Sequence, residues 1–302
     1  MPEYLIEAWG LGMFMLSAGF FGTLLEYPGS PLHHAIPEPF LRRLLMGLAM
    51  GFTAIGLIYS PWGRQSGAHL NPAVTLTFVR LGRVRPWDGF FYMAAQFVGG
   101  ALGVAAVLLC LGAAFQDAPV RCVATLPGPA GAGTAFVAEV AITFLMMSVV
   151  LWASNSARLH AWTGVFAGSL VAAYIAFEAP LSGMSLNPAR TTASALWASA
   201  WDAAWVYFTA PILGMLLAAE LYVRTRGLKN VICAKLNHRT ERRCIFHCGY
   251  ARRSASAVGA AGAAEAGVDG TRPGAEGGAH GEDTEHHVAG RHIGAPQTAQ
   301  RP

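Results

Sequence analysis

Charge is what this chain has least of. Of 302 residues, 13% are Asp, Glu, Lys or Arg and 54% are hydrophobic, whereas a soluble domain carries about 25% charged residues. That shortage excludes a water-bathed surface over most of the chain and points to a polytopic membrane protein. The start, MPEYLIEAWG, has no Lys or Arg and carries Glu7 inside an apolar run, which argues against a cleavable signal peptide. Up to Val223 the sequence offers no set of nucleophile, base and metal ligands, so no enzyme activity is expected. Nor is there a continuous series of titratable residues along the apolar runs to relay protons. A nucleic-acid partner is not expected either.

What is present is a series of long apolar runs, near 4–25, 41–60, 88–112, 133–154, 161–179 and 203–223. Each is long enough to cross a bilayer, which takes roughly 17–25 residues. One membrane domain over 1–225 is expected, then a basic Cys/His-containing segment at 226–253 and a disordered low-complexity tail at 254–302. Arg64, Arg80, Arg83, Arg85 and Arg158 fall in connections on the side of both termini, with the basic start of the tail. Arg42, Arg43, Arg121 and Arg190 fall on the other. Positive residues favour the cytoplasm, so both termini are expected there, with the cell membrane as the location.

SGAHLNPAVT at 66–75 returns as SGMSLNPART at 182–191, with seven of ten positions identical. Each copy follows the second span of a three-span half, about 1–115 and 130–225. An odd number of spans turns the second half upside down, which makes an inverted repeat. Asn is a favoured N-cap and Pro a favoured first helical residue. Asn71-Pro72-Ala73 and Asn187-Pro188-Ala189 therefore read as helix starts. The 9–12 residues that follow each Asn give helices of roughly 14–18 Å at 1.5 Å per residue, half a bilayer. Two such half-helices, entering from opposite sides, meet N-terminus to N-terminus near the midplane.

The paired NPAVT and NPART, set within six spans, resemble the aquaporin and glycerol-facilitator family over about 1–225. The resemblance implies an all-α fold of six spans and two re-entrant half-helices. It also implies passive conduction of water and small uncharged solutes, a homotetramer in the bilayer and no cofactor for transport. Asn71 and Asn187 would stand at the pore centre. Arg190 would stand in a narrow selectivity filter with Ile175, Met184 and a span-two residue, Met50 or alternatively Gly51. Strict water channels of the family usually carry Phe and His at the span-two and span-five positions, so this ring is apolar. Thr191 and Ala195 lack the Asp and basic residue of glycerol facilitators, while Tyr207-Phe208 resembles the aromatic pair of water channels. Water is the expected permeant. A glycerol-type facilitator is the alternative, and a non-conducting structural or adhesion protein is the remaining reading.

Glu7, Glu139, His69 and Gln96 are expected to support the loops, because re-entrant backbone away from water must find partners. Gly47/Gly51, Gly99/Gly103 and Gly164/Gly168 share the spacing that allows close helix contact, and Pro211 is expected to kink the last span. In the tail, Cys233, His238, Cys244 and Cys248 have the spacing of a Cys₃His zinc site, with His247 as an alternative to His238. The competing reading is a basic segment lying on anionic lipid.

Overall fold

The computed structural model describes residues 2–238 and 244–250, and among these every regular element is helical. The tail expected to be disordered, 254–302, lies outside the described residues. In the first half, α1 (Pro2–Glu26) and α2 (Pro39–Tyr59) precede a short α3 (Pro72–Arg80), and α4 (Pro86–Leu111) follows. In the second, α5 (Gly131–Ser154) and α6 (Thr163–Phe177) precede a short α7 (Pro188–Ala198), and α8 (Ala204–Arg226) follows. All but α3 and α7 are long and apolar enough to cross a membrane, α6 together with the turn at His160–Trp162 before it. Phe52, Leu102, Leu109 and Val137 point outward from these spans, each more than 60% exposed, as lipid-facing residues do.

The helix starts follow from sequence. Helices α2, α3, α4 and α7 each begin on a proline, whose missing N–H is no loss in a first turn. The Glu38 carboxylate caps α2 by accepting from Leu41 N at 2.7 Å. At nine and eleven residues, α3 and α7 are roughly 14–17 Å long, half the membrane thickness.

Close packing depends on the glycine pairs. A β-carbon on Gly99 or Gly103 would collide with the α1 backbone at Ala8 and Gly12; one on Gly47 or Gly51 would strike Ala172 and Gly168 of α6. Helix α8 runs through Pro211 as a single element. Arg42, which weakens the charge contrast between the faces, is buried. It bonds to Glu26 at 3.2 Å and to the carbonyls of Ile36 and Pro37, so it ties together the link between α1 and α2.

Beyond α8 the chain turns back onto the bundle. Val231, Cys233, Ala234, Leu236 and Phe246 are buried in the same apolar cluster as Ile58, Phe78 and Met215. The described part of the segment set apart at 226–253 thus lies against protein.

Candidate functional site

Each ten-residue copy forms a loop that its sequence alone would not hold. After a short helical turn, Gly67 and Gly183 adopt φ of +103° and +77°. Ala68, Leu70, Met184 and Leu186 then take φ between +50° and +59°, the left-handed region, which costs an L-residue about 1–2 kcal/mol. Buried carboxylates maintain the conformation. Glu7 Oε1 accepts from Ser66 Oγ at 2.7 Å and His69 N at 3.1 Å, and Oε2 accepts from Leu70 N at 2.6 Å. Glu139 repeats the pattern: Oε1 accepts from Ser182 Oγ at 2.9 Å and Ser185 N at 2.6 Å, and Oε2 from Leu186 N at 2.9 Å.

A tyrosine completes each cradle. Tyr92 Oη donates to the Ser66 carbonyl at 2.7 Å, and Tyr207 Oη to that of Ser182 at 2.6 Å. Sequence reasoning found the two glutamates but missed Ser66, Ser182 and Tyr92, and took Tyr207 only as a family marker. The available signal was the serine opening both copies. Gln96 Nε2 donates to Glu7 Oε2 at 2.8 Å and Thr75 Oγ1 at 3.1 Å, a contact of the first half alone.

The N-termini of α3 and α7 meet, and their caps are reciprocal. Asn71 Oδ1 accepts from Ala73 N, and its Nδ2 donates across to the Leu186 carbonyl at 2.7 Å. Asn187 Oδ1 accepts from Ala189 N and Arg190 N, and its Nδ2 donates back to the Leu70 carbonyl at 2.8 Å. An amide nitrogen has two N–H bonds, so each asparagine keeps one beyond this pairing. Pro72, Ala73, Pro188 and Ala189 sit buried behind them.

A cavity of about 490 Å³ runs past this junction, and both asparagines line it. Toward the face carrying Glu26 and Arg43 its wall includes Met50, Ile175, Met184 and Arg190. The sequence left Met50 and Gly51 open; Met50 is on the wall, whereas Gly51 packs against the Gly168 carbonyl of α6. The Arg190 guanidinium donates through Nη1 to Thr125 Oγ1. Toward the opposite face the wall includes Ile58, Ala68, His69 and Met215, and then Leu236 of the tail. His69 does more than support a loop. Its ring stacks between Phe78 and Phe246, at 5.3 and 5.4 Å, and its Nε2 is 2.9 Å from the Ala234 carbonyl.

The tail brings its four candidate ligands together. One donor atom from each of Cys233, His238, Cys244 and Cys248 lies within 4.8 Å of all the others, a group that could hold a metal ion. Cys233 Sγ is 3.6 Å from Cys244 Sγ, and Cys248 Sγ is 3.0 Å from His238 Nε2. Hydrogen bonding with Cys233 holds the thiols of Cys244 and Cys248 below the ordinary value, and the same bonds push Cys233 up. Burial pulls His238 down, but the hydrogen bonds and charge of Cys244 and Cys248 outweigh it and raise the imidazole. The alternative ligand, His247, is turned away: its Nδ1 is 2.9 Å from the Gly82 carbonyl.

Residues 6–222 match the sequence pattern of the family described as Major intrinsic protein. Aquaporin NIP1-3 of Oryza sativa subsp. japonica is 38% identical over 178 residues, 58% of this chain and 59% of that protein. Aquaporin NIP2-3 of Zea mays is 38% identical over 188 residues, 62% and 60% of the two chains. The chain therefore spans about six-tenths of the length of these relatives. The X-ray structure of the aquaglyceroporin from Plasmodium falciparum shares the fold, with a TM-score of 0.57, 21% identity and coverage of 73% of this chain and 94% of that one. With the match running from the first span to the last, around two half-helices that meet cap to cap, the chain belongs to the major intrinsic protein family, the aquaporins and glycerol facilitators.

Proposed function

We propose that the chain is a passive channel for water that also admits small uncharged solutes and excludes protons and ions. The observation that carries this reading is the junction of Asn71 and Asn187 on the cavity wall. Each half-helix N-terminus contributes roughly half a positive elementary charge, and two of them face the same point. A water oxygen that accepts one N–H from each asparagine turns its own protons outward. The hydrogen-bonded file that a proton would hop along is then broken, and cations meet a positive field. Exclusion by half-helix ends and an arginine is the established principle of aquaporin-type pores.

Arg190 is the second barrier. A charge at membrane depth is costly and so marks a functional position, and Arg190 stands on the wall with Met50, Ile175 and Met184. One polar side and three apolar ones suit a small polyol as well as water. That composition favours a neutral-solute facilitator as the second reading. Conduction in this reading uses no cofactor. Both termini and the tail are assigned to the cytoplasm of a cell membrane on the arginine distribution, and a homotetramer follows from the family resemblance. Stopped-flow light scattering of proteoliposomes, with sucrose and then glycerol gradients, is the test. Fast water-driven shrinkage supports a channel, and rates equal to empty liposomes with folded protein reject it. Re-swelling in glycerol separates the two solute readings.

A further inference from the structure

We infer that residues 231–238 and 244–250 form a cytoplasmic plug for the cavity, clasped shut by a Zn²⁺ ion on Cys233, His238, Cys244 and Cys248. The inference rests on the channel reading above and adds a means of control to it.

The first observation is where the tail sits. Leu236 is itself a wall residue of the cavity, and its N–H bonds to the Gly67 carbonyl at 3.1 Å. The Ala234 carbonyl is bonded to His69, and Phe246 lies flat on the same ring. Gly67 and His69 belong to the loop that leads directly into Asn71. The plug therefore touches the conduction machinery and does not merely hang beside it. It is also anchored around the mouth. Ile232 N donates to Asn155 Oδ1 at 2.6 Å, His247 N to the Arg83 carbonyl at 2.9 Å, and Lys235 Nζ to the Arg64 carbonyl at 3.0 Å. These anchors belong to three separate connections between helices.

The second observation is what holds the plug together. Apart from one turn at Leu228–Asn230, its described residues before Tyr250 form no helix or strand. Fourteen residues of irregular backbone each lose conformational entropy on being fixed, a cost that a cross-link lowers. The four donor atoms supply one. On a tetrahedron with Zn–S near 2.3 Å the sulfurs stand about 3.8 Å apart, and Cys233 and Cys244 are already at 3.6 Å. The ligands alternate along the chain with the anchors: Cys233 precedes Leu236, and Cys244 and Cys248 flank Phe246. One ion thus ties the Leu236 stretch to the Phe246 stretch, while His238 is braced by the Tyr250 ring stacked on it at 4.3 Å. Three thiols lose their protons to solvent on binding, which leaves the loaded site with one net negative charge. Lys235, a buried residue two positions after Cys233, supplies a positive charge that acts on Cys244 and offsets it. A Cys₃His donor set selects zinc over harder divalent ions.

The test uses the full-length protein, purified reduced and reconstituted. Elemental analysis should find one zinc per chain, and none in a Cys233→Ser/Cys248→Ser variant that is shown to be folded. Water permeability should be roughly tenfold lower with zinc than after a membrane-permeant chelator, as when zinc raises the closed fraction to about nine-tenths. The Cys variant should conduct at the chelated level with or without zinc. Leu236→Ala should bind zinc and conduct regardless, which separates the clasp from the stopper. Reduced protein that takes up no zinc overturns the site. Zinc bound with permeability unchanged overturns the plug and leaves the channel reading standing. A zinc response that persists in the Cys variant places the effect elsewhere and overturns it too. Flux at the empty-liposome level in every form rejects the channel reading itself.

Discussion

Residues 66–75 and 182–191 fold alike, yet three positions differ between them: Ala68 against Met184, His69 against Ser185, and Val74 against Arg190. All six of those residues line the cavity. The residues the copies share hold the loops in place, although the asparagines line the cavity as well. Ser66 and Ser182 bind the glutamates, the two asparagines cap and pair, and Pro72 and Pro188 start the helices behind them. One backbone device is thus used twice, and all three positions at which the copies differ lie on the cavity wall. The Arg190 copy lies toward the end of the cavity lined by Glu26 and Arg43; the His69 copy faces Ala234 and Leu236 beyond α8.

The largest effect should come from breaking what the copies share. Glu139→Ala strands the N–H groups of Ser185 and Leu186 and the hydroxyl of Ser182 in a buried loop that already holds left-handed residues. At about 1–3 kcal/mol for each stranded donor, the loss should read as a large fall in thermal unfolding temperature in detergent. Glu7→Ala should cost at least as much, because Gln96 loses its partner as well. If one copy tolerates alanine while the other unfolds, the equivalence of the loops is wrong.

Next comes the position where the copies differ most. Arg190→Val gives the second copy the first copy's residue and removes a unit charge from the wall. Such a charge acts on a cation 4 Å away with about 4 kcal/mol at an effective dielectric of 20. Cation conductance should become measurable in planar bilayers and glycerol flux should rise; selectivity identical to wild type would misplace the filter. Met184→Ala, again copying the first loop, should raise glycerol permeability by about tenfold, or about 1.4 kcal/mol of barrier, while water changes less. Swelling rates in the two gradients decide it.

The smallest effects should come from the tyrosines. Tyr92→Phe and Tyr207→Phe each remove one hydrogen bond to a serine carbonyl and should cost about 1 kcal/mol apiece. Equal shifts in unfolding, with selectivity intact, would sharpen the comparison; unequal shifts would show that the tail already braces the first loop.

Much of this was legible in the sequence because it rests on local rules. Apolar run length fixes the spans, Asn-Pro fixes the half-helix starts, and glycine spacing fixes the close contacts of α1 with α4 and α2 with α6. The Cys/His spacing likewise anticipated a cluster that folding brings together. What escaped was long-range. Tyr92 and Tyr207 act on carbonyls 26 and 25 residues away along the chain, and no local pattern marks an acceptor at that distance. The packing of Leu236 and Phe246 beneath the pore loop escaped for the same reason: a basic, cysteine-bearing segment reads as surface until its apolar residues are seen against His69. The choice between Met50 and Gly51 turned on which side of α2 faces α6, a matter of helix rotation that loop length alone left one residue uncertain.

The central claim is that the junction of Asn71 and Asn187 passes water and stops protons. It is tested most directly by recording osmotic water flux and internal pH together, in proteoliposomes of chelator-treated full-length protein carrying a pH-sensitive dye. The account predicts water permeability well above that of empty liposomes, with a low activation energy, and proton leak no faster than the lipid alone. Water flux at the level of empty liposomes, or proton leak rising in step with water, would contradict it.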